Sequence, residues 1–146
     1  MQAAVKAAQA AYADRSQGTL GFASVDTLGV QYDSRLPRVY DSRLYQLRFT
    51  PTDVSKNGVR VIVYDAHAES LRGANKKLSR DYPGVMSDII AAETGEDMLF
   101  LPGAVGGLIM TDEMVSPFDA ERNLEATGRK LADFALSMKP EPPRSG

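Results

Sequence analysis

The chain has 146 residues, 43% of them apolar and 25% charged, with a formal net charge of −2; it is long enough for one sizeable core and short for two. Scattered Lys and Arg supply no basic field for a nucleic-acid backbone, and the absence of cysteine excludes disulfides and thiolate ligands. No run approaches the roughly 20 apolar residues that cross a bilayer, and the start lacks the basic and apolar regions of a signal peptide, which leaves the compartment unassigned.

The first predicted element is a helix, because Gln2-Ala3-Ala4-Val5-Lys6-Ala7-Ala8-Gln9-Ala10-Ala11 is strongly helix-favouring. No capping residue precedes it, as expected where a longer polypeptide has been cut within a helix. Residues 18–25 alternate enough to be a strand, and the stretch through Pro37 reads as loop. Leu44 to Thr50 places Leu44, Gln46, Arg48 and Thr50 on one face and Tyr45, Leu47 and Phe49 on the other, the period-two pattern of a strand with one buried side. An Asn57-Gly58 turn signal leads to a second strand, Val59 to Asp65. Its Val61-Ile62-Val63-Tyr64 segment is apolar on both faces and so predicts a central position.

From Asp81 the period changes to that of a helix, with Pro83 in its first turn, Met86, Ile89 and Ile90 on one face, and Gly95 as its stop. Met98-Leu99-Phe100-Leu101 predicts a short buried strand that enters the glycine-rich loop Pro102-Gly103-Ala104-Val105-Gly106-Gly107. Ser116, Pro117 and Asp119 look like a capping box for the last helix, whose inward stripe is Leu124, Thr127, Leu131, Phe134 and Met138. The expectation is a layered α/β domain over residues 1–138, with a mixed β-sheet flanked by helices. Residues 139–146, rich in proline, predict a disordered tail.

Asp65-Ala66-His67-Ala68-Glu69 is the segment richest in chemistry, since extended geometry puts the Asp, His and Glu side chains on one face. Such a trio suits a divalent cation, and a neutral imidazole is the commonest protein ligand for zinc. The alternative is that His67, the only histidine, donates to a backbone carbonyl at a strand end. The glycine loop could offer backbone N–H groups to an oxyanion, or be no more than a tight exit from a strand; it lacks the Gly-Lys-Ser/Thr ending of a phosphate loop. Ser-His-Asp catalysis is formally open to Ser70 or Ser79, yet neither lies in a Gly-x-Ser-x-Gly elbow, which counts against a serine triad.

Four segments taken in order resemble the N-terminal catalytic domain of the neutral/alkaline, non-lysosomal ceramidase family. They are Val61-Ile62-Val63-Tyr64-Asp65-Ala66-His67, Leu78-Ser79-Arg80-Asp81-Tyr82-Pro83-Gly84, Phe100-Leu101-Pro102-Gly103-Ala104-Val105-Gly106-Gly107 and Asn123-Leu124-Glu125-Ala126-Thr127-Gly128. The resemblance implies zinc-dependent hydrolysis of an N-acyl amide such as ceramide, in which zinc polarises the carbonyl and makes hydroxide available near neutral pH. It further implies His67 as a metal ligand, Gly103, Gly106 and Gly107 beside the substrate, and Asp65, Ser79 and Asp81 as residues that shape and cap the site.

Two departures follow. The family's loop commonly continues as Gly-Asp-x-Ser/Asn-Pro, whereas this chain reads Gly106-Gly107-Leu108-Ile109-Met110; Thr111 is the nearest hydroxyl that could substitute, and an amide or ester other than ceramide becomes as plausible a substrate. The family's other zinc ligands lie well upstream and downstream of the matching segments, so the chain is expected to be a fragment with an incomplete site. Two other classes compete with the hydrolase: a non-catalytic module that self-associates or binds a partner, and an acyl-lipid binder that uses the apolar Val105–Met110 loop.

Overall fold

The computed structural model describes residues 2–33, 35–71, 75–105 and 119–142, and the backbone of 109–111. In chain order the elements are α1 (Gln2–Ala13), β1 (Gly18–Asp26), β2 (Gln31–Asp33), β3 (Arg43–Pro51), β4 (Val59–Tyr64), α2 (Asp81–Thr94), β5 (Asp97–Pro102), β6 (Ile109–Thr111) and α3 (Ala120–Ser137). Strands β1, β3, β4 and β5 form one sheet in that order, antiparallel except for the parallel pair β4/β5; β2 and β6 form a separate antiparallel pair. The result is a mixed sheet with helices, as the sequence predicts, and β4 is central to it.

Only one face of the sheet carries the core. Leu44, Ile62 and Tyr64 are fully buried there against Tyr82, Met86 and Ile90 of α2 and Leu131, Ala132 and Ala135 of α3. The two helices approach closely at Gly128, where an added Cβ would lie 2.5 Å from the Val85 Cβ. The buried side of β3 is therefore that of Leu44 and Gln46, not the more apolar side of Tyr45, Leu47 and Phe49. Gln46 is tolerated because its Oε1 accepts from the Arg60 Nη1 at 3.1 Å.

The pairing registers put Leu20, Phe22, Tyr45, Leu47, Phe49, Val59, Val61, Val63, Leu99 and Leu101 on the opposite face. Leu20, Phe22, Leu47, Leu99 and Leu101 are all exposed there, Phe22 by 50% and Leu99 by 52%. The Met98–Leu101 strand is thus not buried as expected, because β5 is an edge strand covered on one side only.

Gly95 ends α2 in the left-handed conformation, φ 71°, and its N–H caps the Ala91 carbonyl. Helix α3 starts at Ala120 with Asp119 as its N-cap, its carboxylate accepting from the Arg122 N–H at 2.9 Å. The expected start at Ser116 and Pro117 lies outside the described residues. After α3 the chain does not leave the sheet at once, since Glu141 bridges to Phe22. Among the described residues no helix is long and apolar enough to cross a membrane.

One buried ionic knot ties the sheet to α3. Glu96 accepts from Arg60 and lies 2.7 Å from the Arg48 guanidinium, while the Arg60 Nη1 also donates to the Ala135 carbonyl at 3.2 Å. Gly58 leaves room for it, because an added Cβ would be 2.8 Å from the Glu96 Oε1. Burial pushes the Glu96 carboxyl up, but Arg48 and Arg60 outweigh it and hold the group below its ordinary 4.5.

A carboxyl depressed in the folded state contributes stability that is present above the unfolded value and lost as pH falls through the lower folded one. Urea melts should therefore show stability decreasing below about pH 4.5. Glu96→Ala strands the Arg60 charge in the core and should cost about 3–5 kcal/mol at pH 7, which the urea midpoint would reveal.

Candidate functional site

Because β4 and β5 run parallel, with Tyr64 opposite Pro102, both strands discharge their loops at the same end of the sheet. The crevice outside the carboxyl ends of parallel strands is where α/β sheets place ligands. Two bonds tie the loops together: the Gly103 N–H donates to the Tyr64 carbonyl at 3.1 Å, and the Ala104 N–H donates to the Asp65 Oδ1 at 2.9 Å. A Cβ on Gly103 would lie 1.8 Å from that Oδ1, so glycine is required here for close approach, irrespective of its backbone angles.

His67 sits in the β4 exit loop, half-buried, and the loop is fastened on both sides of it. On the near side the Tyr82 hydroxyl donates to the Ala66 carbonyl at 2.9 Å, and the Gln31 Nε2 donates to the Asp65 carbonyl at 3.4 Å and the Asp41 carbonyl at 2.7 Å. On the far side the Asp81 carboxylate accepts from the Ser70 N–H at 3.0 Å and the Leu71 N–H at 3.3 Å, and also from the Tyr82 N–H at 2.8 Å. Asp81 has φ 51°, a left-handed conformation that Asp tolerates better than most residues. The Ser79 hydroxyl holds its N–H at 2.9 Å.

Burial pushes the Tyr82 and Tyr64 phenols well above their ordinary range, so both stay protonated; the Tyr64 hydroxyl is 3.0 Å from the Thr27 hydroxyl. Nearby, Asp41 is held below the usual carboxylate range, first by the Tyr45 hydroxyl and then by the Arg43 backbone N–H and side chain, against a smaller upward push from burial.

The Asp65–His67–Glu69 trio predicted from extended geometry does not assemble. Strand β4 ends at Tyr64, so the alternation that would align the three is lost. Asp65 instead turns to the Ala104 N–H, and Glu69 is exposed. Among the described residues no three His, Asp or Glu side chains come together as a group that could hold a metal ion. The His67 ring has no hydrogen-bond partner among the described residues either, so the backbone-carbonyl role is not observed.

Gly106 and Gly107 lie outside the described residues, and at Thr111 the backbone alone is placed, opposite Gln31. Gln31 and Tyr82 were not singled out from sequence. Tyr82 had a signal, as a polar-tipped aromatic within the Asp81-Tyr82-Pro83-Gly84 segment, whereas Gln31 had none.

The Asp65–Gly103 approach gives a direct check. Gly103→Ala should destabilise the chain by about 1–3 kcal/mol through overpacking, and Gly103→Ala combined with Asp65→Ala should recover part of that loss in thermal melts, because the clashing carboxylate is gone.

No family model matches the sequence, and no curated protein matches it. Among solved structures, the fold is similar to that of neutral ceramidase from Pseudomonas aeruginosa, with a TM-score of 0.76 and 17% identity over 92% of this chain and 24% of that one. A ceramidase complexed with C2 is similar at a TM-score of 0.74 and 16% identity, over 89% of this chain and 23% of the other. The chain spans about a quarter of the length of either, and at this identity what it shares with them is the fold.

Proposed function

We propose that the chain is the histidine-bearing part of a ceramidase-like zinc hydrolase that cleaves a lipid-like N-acyl amide or a related ester. The observation that carries this reading is the placement of His67. It stands on the loop that leaves β4 at the end of the sheet where β5 also ends, and Tyr82 and Asp81 grip that loop on both flanks. Its half-exposed ring without a hydrogen-bond partner among the described residues, and the ceramidase-like fold, support it further.

The described residues do not make a zinc site by themselves. Asp65 accepts the Ala104 N–H through Oδ1, both Asp81 oxygens accept backbone N–H groups, and a catalytic zinc ordinarily takes three protein ligands. In this reading His67 is one donor among several, the others coming from polypeptide outside the described residues. Asp65, Ser79 and Asp81 shape the loop, Gly103, Gly106 and Gly107 flank the substrate, and Thr111 stands in for the family's polar loop residue.

The exposed apolar face that holds Leu20, Phe22, Leu47, Leu99 and Leu101 favours a second reading, a module that self-associates or binds a partner. The two readings separate experimentally. Because His67 is the only histidine, its imidazole NMR signals are unambiguous; the hydrolase reading expects them to shift on zinc titration, and expects zinc-dependent release of fatty acid from a short-chain N-acyl sphingosine, abolished by His67→Ala, where polypeptide that supplies the other donors is present. Imidazole signals unmoved by zinc would contradict it, and a stable oligomer in light scattering would then leave the second reading.

A further inference from the structure

Strand β1 lies at one edge of the sheet, and unpaired edges invite strand pairing with another chain. This edge is occupied by the chain's own C-terminal segment. The Phe22 N–H donates to the Glu141 carbonyl at 2.7 Å, and the Glu141 N–H donates to the Phe22 carbonyl at 3.0 Å. Pro140 crosses directly over Gly21, where an added Cβ would come within 2.9 Å of the Pro140 Cβ. In an antiparallel ladder the residues on either side of a paired one turn their backbone groups the other way. Those residues are Pro140 and Pro142, which have no N–H. The segment thus pairs inward through one residue and offers no N–H donor outward from its two prolines, and the exposed Glu141 carboxylate adds charge to the rim.

We infer that residues 140–142 are an edge cap, which keeps β1 from pairing antiparallel with β1 of a second copy. A nine-residue edge strand is self-complementary about a two-fold axis, so uncapping it exposes an interface for another copy of the same chain. This inference does not depend on the proposed hydrolase activity.

Amide hydrogen exchange tests it. Phe22 turns its N–H outward, so by alternation Leu20 and Ser24 do so too, without the Glu141 partner. In the unaltered chain the Phe22 amide should exchange about five- to tenfold more slowly than those two, the worth of one hydrogen bond. Gly21→Val, which blocks the place of Pro140, and Glu141→Pro, which deletes the only inward N–H, should each erase that difference. Both should also raise the light-scattering mass with concentration above that of the unaltered chain. Equal exchange at Phe22, Leu20 and Ser24 in the unaltered chain overturns the inference, as does an unchanged mass in the variants. Should Gly21→Val fail to fold, Glu141→Pro, outside the core, decides.

Discussion

The Asp81 carboxylate is the constraint on which the candidate site depends. A half-buried histidine on a loop could point anywhere; this one is confined because a buried carboxylate at the start of α2 collects the N–H groups of Ser70, Leu71 and Tyr82. A carboxylate accepting several backbone N–H groups replaces its lost hydration with charge-assisted bonds, and the left-handed backbone at Asp81 belongs to the same local arrangement. Tyr82, the next residue, holds the loop from the other side of His67. One helix start therefore fixes both flanks of the site, while α2 is itself anchored by Tyr82, Met86 and Ile90 in the core.

The sheet is asymmetric in a way that bears on function. Its helix-covered face holds the core and the Arg60–Glu96 knot, whereas its other face leaves a band of large apolar residues open. Helix α1 adds to this, since none of its residues is buried. The fold matches about a quarter of each of two ceramidase chains, and this apolar face is open in it. The same face would equally serve a second copy, while at the β1 edge Glu141 pairs with Phe22 where, in our inference, a second copy would otherwise pair.

Much of the architecture was legible in the residues. The run Val61-Ile62-Val63-Tyr64 announced a central strand because both its faces are apolar, and Gly95 marked the end of α2 because a left-handed cap favours glycine. Strands β2 and β6 were not legible, since three residues are too few to display a period. The buried face of β3 was misleading for a different reason: Leu47 and Phe49 are more apolar than Gln46, but only the Gln46 side meets α3 and the Arg60 guanidinium. Long-range partners decided the face, and they cannot be seen in a local pattern.

The site was legible in part. His67 and the glycine after β5 stood out, but the Asp65–His67–Glu69 trio assumed that extended backbone continued past the strand, through Glu69. It ends at Tyr64, and Asp65 is claimed by Ala104. The role of Asp81 as an acceptor for residues ten and eleven positions earlier depends on how the loop folds back, a tertiary fact.

The most direct measurement of the central claim is amide hydrogen exchange at Ser70 and Leu71. The account predicts that both are protected in the intact chain and that Asp81→Gly, which keeps the left-handed backbone accessible but removes the carboxylate, releases both while the β4 amides stay protected. Unprotected Ser70 and Leu71 in the intact chain, or protection that survives Asp81→Gly, would show that the loop carrying His67 is not held by this carboxylate.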